Sequence, residues 1–493
     1  MISVQTLSDA QGVAFGTSGV RGLVEKLTPE LCYAYTLAFI NGVFVGKEGT
    51  KKIAIAMDLR PSSPDIVKAC CMAIENAGYE VVFCGAIPTP ALAYYSMTQA
   101  IPCIMVTGSH IPFDRNGIKF YRPDGEISKS DEASILSQLV ALPAGLPSRL
   151  THYRLPTQNT AAEKLFVARY QDLFADTPNV LKGMKVGFYQ HSSVARDLLT
   201  RLLQELGAEV IALDRTETFV PIDTEAVAQE DIDKARVWSK QGYDALISTD
   251  GDGDRPLIAD EHGTWLRGDV VGILCAEYLQ ATHVVTPINS NTALEYTNIE
   301  VSLRTRIGSP YVIAGMEQLL KARQTQTELR LVGYEANGGF LVGTDITVQK
   351  QTLRALPTRD SILPIVLLLV QSRVQGKPLS QLANHLPKRF TASDRIKNIP
   401  TTVSQTLLST LMASKEQQEQ LLAKITSNKE TLHIIDFNQV DGVRMTLNNG
   451  DIVHLRPSGN APELRCYAEA DSYDRAHKIV RSILVLVKQR IED

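Results

Sequence analysis

The sequence predicts an α/β protein built from three similar units and closed by a fourth unit of α+β type. Three observations carry this expectation. Short β-branched runs alternate with helix-length segments, that rhythm restarts twice, and the C-terminal stretch breaks it.

In the first unit, Lys52 to Met57 (KIAIAM) reads as a strand and Pro64 to Ala77 as a helix. Val81 to Cys84 reads as a strand, Pro90 to Gln99 as a helix and Cys103 to Thr107 as a strand. This β-α-β-α-β order predicts a mainly parallel sheet covered by helices. Ile118 to Tyr121 and Glu126-Ile127 flank Pro123-Asp124-Gly125, a hairpin added to that sheet. The second round has a strand at Lys185 to Tyr189, a helix at Val194 to Leu206, and strands at Glu209 to Leu213 and Ala245 to Ser248. The third begins near Gly268. It runs through a helix at Val270 to Leu279, a strand at Val284 to Pro287 and a helix at Ser309 to Ala322. A strand at Leu329 to Gly333 and a helix at Arg359 to Val370 complete it. The tail has polar helices around Gln405 to Ser427 and strands at Leu432 to Phe437, Gly442 to Leu447 and Asp451 to Leu455. It ends in an amphipathic helix from Tyr473 to Ile491. Boundaries near Leu142 to Pro156 and Asp260 to Gly268 give units 1–150, 151–262, 263–376 and 377–493.

The bulk numbers agree. A chain of 493 residues makes three or four domains at ~100–200 residues each. With 44% hydrophobic and 21% charged residues it is an ordinary globular composition. A net charge of -4 offers nothing to nucleic acid or a membrane surface. The N-terminus lacks a basic and apolar leader pattern, and the apolar run Ile362 to Val370 is far shorter than the ~20 residues a bilayer needs. Seven scattered cysteines with no CxxC pair predict reduced thiols in a cytoplasmic protein. The expected state is a monomer or homodimer, which the sequence does not decide.

Five polar loops resist a packing explanation. Phe15 to Gly22 (FGTSGVRG) spaces glycines around Arg21, which suits an anion, although a plain turn fits as well. It is no dinucleotide fingerprint, because no strand is expected before it. Thr107-Gly108-Ser109-His110-Ile111-Pro112 sets a serine at the C-terminal end of a buried strand, placed for a nucleophile or for a capping turn; Lys119 follows on the hairpin. Asp250-Gly251-Asp252-Gly253-Asp254-Arg255 alternates three carboxylates with glycines. Their repulsion demands a cation with oxygen ligands. An EF-hand would need glycine where Arg255 stands, and helices on both sides. Gly333 to Gly339 (GYEANGG) offers Glu335 and Asn337 to sugar hydroxyls, or is a solvated loop. Arg456-Pro457-Ser458-Gly459-Asn460, with Arg465 beyond, forms an anion nest.

Taken together and in this order, the loops resemble the α-D-phosphohexomutase superfamily over nearly the whole chain. Asp58-Leu59-Arg60-Pro61-Ser62-Ser63, Pro88-Thr89-Pro90 and Arg304-Thr305-Arg306-Ile307-Gly308 add to the likeness. The resemblance implies mixed sheets sandwiched by helices in three α/β domains, and a C-terminal domain, around one central cleft. It implies a phosphoserine at Ser109 and Mg²⁺ on Asp250, Asp252, Asp254 and the serine. Arg21 and Arg255 would stabilise charge, Lys119 would manage the proton and His110 would orient the phosphate. Glu335, Asn337 and Gly308 would meet the sugar, and Arg456, Ser458, Gly459, Asn460 and Arg465 the non-reacting phosphate. The activity implied interconverts hexose 1-phosphate and 6-phosphate, mannose first and glucose second, through a hexose 1,6-bisphosphate. A glucosamine or N-acetylglucosamine phosphate mutase and a non-catalytic sugar-phosphate regulator are the alternatives. Three loops depart from the usual pattern. T-A-S-H-N-P has Gly108 and Ile111 for Ala and Asn, E-x-S-G-H has Asn337 and Gly339 for Ser and His, and R-x-S-G-T-E-P has Asn460-Ala461 for Thr-Glu.

Overall fold

The computed structural model describes residues 1–17, 19–44, 51–322, 328–348, 350–426, 431–458 and 463–492. Four main sheets organise them. In the first, Lys52–Met57 lies parallel to both Glu80–Ala86 and Cys103–Val106. Cys103–Val106 then pairs antiparallel with Arg115–Arg122. In the second sheet Lys185–Tyr189 lies between parallel Glu209–Leu213 and Ala245–Thr249, and the latter pairs antiparallel with Pro256–Ala259. In the third, His283–Pro287 lies between parallel Val301–Thr305 and Leu331–Tyr334, and the latter pairs antiparallel with Phe340–Val342. The three units thus share one strand order, as the recurring rhythm predicts. The tail sheet is antiparallel throughout.

This common plan positions the site. In each of the first three sheets the last parallel strand reverses into an antiparallel one, and the reversal is a polar loop: Thr107 to Asp114, Asp250 to Arg255, and Glu335 to Gly339. A parallel strand's C-terminal end is where such sheets gather ligands.

Packing holds the three units as one body. A single apolar cluster runs from Ala54 and Tyr95 through Phe166, Leu199 and Ile273 to Leu368. The helix Ile362–Gln375 lies in it, apolar on all sides and buried from Ile362 through Ser372. Each fully buried Leu, Ile or Val contributes about 1.5–3 kcal/mol. The tail has its own core around Leu455, Cys466 and Ile483. All seven cysteines are buried and free: five in the first unit, then Cys275 and Cys466. Burial pushes the Cys70 and Cys84 thiols up to about 12. No helix among the described residues is long and apolar enough to cross a membrane.

Three readings need correction. Arg359 does not open a helix: Leu356–Asp360 is a strand, and the helix starts at Ile362. Asp360 makes the break, because its carboxylate accepts from Ile362 N at 2.9 Å. A strand does precede the first glycine loop, since Ala14–Phe15 pairs with Val20–Leu23. The tail sheet has five strands, with Phe390–Lys397 and Glu463–Ala470 beside those expected. The helix Pro29–Phe39, which carries a Thr28 cap and a proline in its first turn, also went unread.

Candidate functional site

Ser109 ends a chain of buried polar contacts. Asp58 lies just past the strand Lys52–Met57, and its carboxylate accepts from Thr107 Oγ1 at 2.7 Å and Ser63 Oγ at 2.6 Å. It also pairs with Arg60 Nε at 3.2 Å. Arg60 donates to four carbonyls of the serine loop and the strand after it: Pro112 at 2.7 Å, Arg115 at 2.8 Å, Ser109 at 2.9 Å and Ile111 at 2.6 Å. Its guanidinium stacks 3.9 Å from the Phe219 ring of the second unit. Held this way, Ser109 adopts a left-handed backbone with φ of 53°. That conformation costs an L-residue about 1–2 kcal/mol, and the surrounding bonds offset it.

The serine faces the aspartate loop. Ser109 Oγ donates to Asp250 Oδ2 at 2.6 Å and lies 3.3 Å from His110 Nδ1. The loops approach so closely that a Cβ on Gly251 would stand 2.9 Å from the Ser109 carbonyl. Asp250 Oδ1 accepts from the backbone of Asp254 and Arg255, both at 3.1 Å, which folds the loop back on itself. Asp252 is fixed by Thr89 Oγ1 at 2.6 Å. Lys119 Nζ donates to Asp252 at 2.6 Å and Asp254 at 2.7 Å. Asp254 also meets Arg359 Nη2 at 2.8 Å, and Arg255 Nε lies 3.7 Å from its other oxygen.

The charges are strongly unequal. Burial, with Asp252 and Asp254 adding to it, pushes Asp250 well above the ordinary carboxylate range. Burial would raise Asp254 too, but Arg359, Lys119 and Arg255 hold it below that range. Burial opposes the Lys119 ammonium, but Asp252 and Asp254 outweigh it and hold it above its ordinary value. Burial, then Arg255 and Arg21, keep the His110 imidazole well below its ordinary value. Arg21, partly open at the surface, is lowered to about 10 by burial and by Arg255 and Arg359.

The donor set fits a metal ion. The carboxylates of Asp250, Asp252 and Asp254 lie within 4.8 Å of one another, all buried. Asp252 Oδ1 and Asp254 Oδ1 have no hydrogen-bond partner among the described residues. Buried carboxylates with spare oxygens suit a hard cation. Strands, not helices, flank this loop, which excludes the EF-hand.

The sugar loop reaches the same centre through a residue the sequence reading missed. Glu335, 3% exposed, meets Arg359 Nη1 at 3.4 Å, and Arg359 joins it to Asp254. Asn337 Oδ1 closes its own loop on Gly339 N at 2.9 Å, and its carbonyl accepts from Thr224 at 2.7 Å. Gly308 is buried with φ of 130°, and a Cβ there would stand 2.6 Å from Thr17 of the first unit. Asp441 of the tail accepts from Ile307 N at 3.0 Å and lies 3.2 Å from Arg456 Nε. Arg456 and Arg465 are direct partners across neighbouring strands. Each has a carboxylate beside it, Asp441 for Arg456 and Glu463 at 3.5 Å for Arg465. Glu225 lies within electrostatic reach of both Arg465 and Arg255. Ser458 donates its amide to Glu463 O at 2.8 Å. Gly459 and Asn460 lie outside the described residues.

The structure therefore gathers Ser109, His110, Lys119, Arg21, Arg255, the three aspartates and Glu335. The arginine pair of the tail is related to them through Glu225, which faces both Arg465 and Arg255, while Asp441 ties Arg456 to Ile307. Asp58, Arg60, Thr89, Glu225 and Arg359 were not assigned site roles from sequence. Asp58-Leu59-Arg60 carries a signal, two opposite charges immediately after a buried strand.

Known proteins resemble this chain along its whole length. Phosphoglucomutase/phosphomannomutase family models match in four consecutive pieces: alpha/beta/alpha domain I over residues 12–142, domain II over 168–263, domain III over 267–390 and the C-terminal domain over 409–484. A phosphomannomutase of Salmonella muenchen is 45% identical over 97% of this chain and 96% of its own length. One from Sinorhizobium fredii is 42% identical over 96% of this chain and 99% of its own. A phosphoglucomutase/phosphomannomutase family protein from Burkholderia thailandensis superposes with a TM-score of 0.71 at 20% identity. The match covers 99% of this chain and 98% of that one, and it speaks for the fold alone. The chain therefore belongs to the phosphoglucomutase/phosphomannomutase family: it is a phosphohexomutase, an isomerase.

Proposed function

We propose that the protein interconverts mannose 1-phosphate and mannose 6-phosphate, and the glucose pair less efficiently, in the cytoplasm. A phosphoserine at Ser109 carries the group, and a hexose 1,6-bisphosphate is intermediate and activator. Four units act together: 1–150 with the serine loop, 151–262 with the metal loop, 263–376 with the sugar loop and 377–493 with the phosphate loop. The observation that carries the reading is Ser109 Oγ, held 2.6 Å from Asp250 in a buried, cation-rich centre. Two relatives above 40% identity bear the name phosphomannomutase, which supports mannose.

Phosphoryl transfer asks a protein mainly for positioning and charge neutralisation. Asp250, Asp252 and Asp254 would hold Mg²⁺, which would neutralise charge on the transferring phosphoryl group. In the forward step the bond between phosphorus and Ser109 Oγ breaks, and a bond to the sugar hydroxyl forms. Lys119 Nζ, in its neutral form, takes the hydroxyl proton and a proton returns to the leaving Ser109 Oγ, while His110 orients the phosphate. Arg21 and Arg255 stabilise the transferring group from either side. Glu335, Asn337 and Gly308 line the sugar's place. Arg456, Ser458, Gly459, Asn460 and Arg465 grip the other phosphate. The bisphosphate then turns over, and its second phosphate returns to Ser109, so the grip must serve either end.

A panel of mannose, glucose, glucosamine and N-acetylglucosamine 1-phosphates, each primed with its bisphosphate, tests the substrate. Mannose 1-phosphate should give the highest kcat/KM. Faster turnover of N-acetylglucosamine 1-phosphate would replace this reading with the acetamido-sugar one, and no turnover of any would favour the regulator. Exhaustive chelation should abolish activity and Mg²⁺ restore it; full activity without divalent cations rules out the metal assignment.

A further inference from the structure

Two fully buried arginines serve the site, and they are satisfied very differently. Arg60 has a carboxylate and four carbonyls within 2.6–3.2 Å. Arg359, only 2% exposed, has Asp254 at 2.8 Å and Glu335 at a long 3.4 Å. Its Nε and Nη2 make no hydrogen bond of good geometry among the described residues. Burying a guanidinium is expensive, and a purely structural one is bonded all round, as Arg60 is. Nε of Arg359 is left open on a guanidinium whose terminal nitrogens reach Asp254, where the phosphoryl group is handled, and Glu335 of the sugar loop.

Gly339 supplies the second observation. A Cβ on it would stand 2.6 Å from Arg359 Cδ and 2.7 Å from Cγ. Its own φ is not in the left-handed region, so its backbone does not require glycine. The requirement comes from the Arg359 stem, which is fixed by Asp254 at one end and by the strand Leu356–Asp360 at the other. This is also the position where the loop departs from E-x-S-G-H. The space that a side chain on the loop would fill is filled from a neighbouring strand.

We propose that Arg359 is a substrate-binding residue, whose guanidinium donates to the hexose hydroxyls alongside Glu335 through the space that Gly339 leaves. The inference rests on the phosphohexomutase reading and names a specificity residue within that site. A planar fork of donors matches two neighbouring hydroxyls, whereas an ammonium in the same place matches one at best.

The test couples the residue to the hydroxyl. Glucose 1-phosphate and its 3-deoxy and 4-deoxy analogues, primed with glucose 1,6-bisphosphate, are compared in the wild-type protein, Arg359→Lys and Arg359→Gln. Calorimetric Kd values cover any variant that turns over slowly, and melting curves show that each is folded. The wild-type protein should penalise loss of at least one hydroxyl by roughly tenfold to a hundredfold. In Arg359→Gln that penalty should shrink by about tenfold, because the deleted hydroxyl has already lost this partner, and in Arg359→Lys it should shrink for at least one of the two hydroxyls. A residue that only balances the charge of Asp254 would lower all three substrates by one factor, and lysine would rescue it; that result overturns the proposal. Should both variants melt below the assay temperature, Gly339→Ala pushes the Arg359 stem aside and is read by the same ratio. Failure of the wild-type protein to turn over any hexose phosphate is a different outcome and sinks the mutase reading itself.

Discussion

The serine loop and the sugar loop occupy the same place in two copies of one strand order, yet they are held in opposite ways. The serine loop is gripped from outside, by Arg60 and Asp58 across some fifty residues of sequence. The sugar loop is closed mainly on itself, by Gly339 N on Asn337 Oδ1 and Gly338 N on Glu335 O. An external grip fixes the loop that performs chemistry, where a misplacement of about 1 Å costs rate. Both loops nonetheless depart from the usual pattern, at Gly108 and Ile111 in one and at Asn337 and Gly339 in the other.

The contrast can be broken at its strongest point first. Ser109→Ala should lower kcat by several orders of magnitude, because the covalent carrier is gone, with circular dichroism unchanged. Intact-mass analysis of active wild-type protein should find one phosphate, localised to Ser109. Near-normal turnover in the alanine variant would end the nucleophile assignment.

Arg60→Ala comes next. It leaves Asp58 buried and uncompensated and frees four carbonyls, so it should cost about 3–5 kcal/mol in denaturant unfolding and most of the activity. A fully active variant of normal stability would show that the external grip is dispensable.

Glu335→Ala should reduce kcat/KM by about tenfold to a hundredfold for every accepted sugar, with a smaller loss of stability than Arg60→Ala because Arg359 keeps Asp254. A collapse in stability would show that this loop supports the fold after all. Asn337→Ser is the mildest change. Serine can still close the turn, so sugar preference should shift by less than about tenfold across the four-sugar panel. A reversal of preference would make Asn337, and not its neighbours, the selecting residue.

Much of this contrast is legible in the sequence, and the rest is not for a definite reason. Ser109 and the aspartates announce themselves because their chemistry is local: a serine after an apolar strand, carboxylates alternating with glycine. Strands such as Lys52–Met57 are legible because β-branched residues sit in a short, buried run. Arg359 was hidden because Arg359 to Val370 looks like one helical stretch. Asp360-Ser361 before the apolar run is the capping signal that would have separated them. What the sequence could not display is Arg359 meeting Asp254 and Glu335, since those contacts join residues far apart in the chain. The strand Glu463–Ala470 was missed for another reason: its charges obscure the alternation that buries Leu464, Cys466 and Ala468.

The seven buried thiols make the protein a gauge of its own opening. A folded molecule presents none of them to an alkylating reagent, so each adduct records an excursion that exposed its site. Cys32, Cys70, Cys71, Cys84 and Cys103 report on the first unit, Cys275 on the third and Cys466 on the tail. Peptide-resolved labelling over time, with and without a hexose bisphosphate, then ranks these units by how often they breathe. It needs no engineered probe, and the second unit, which carries no cysteine, is silent in that record.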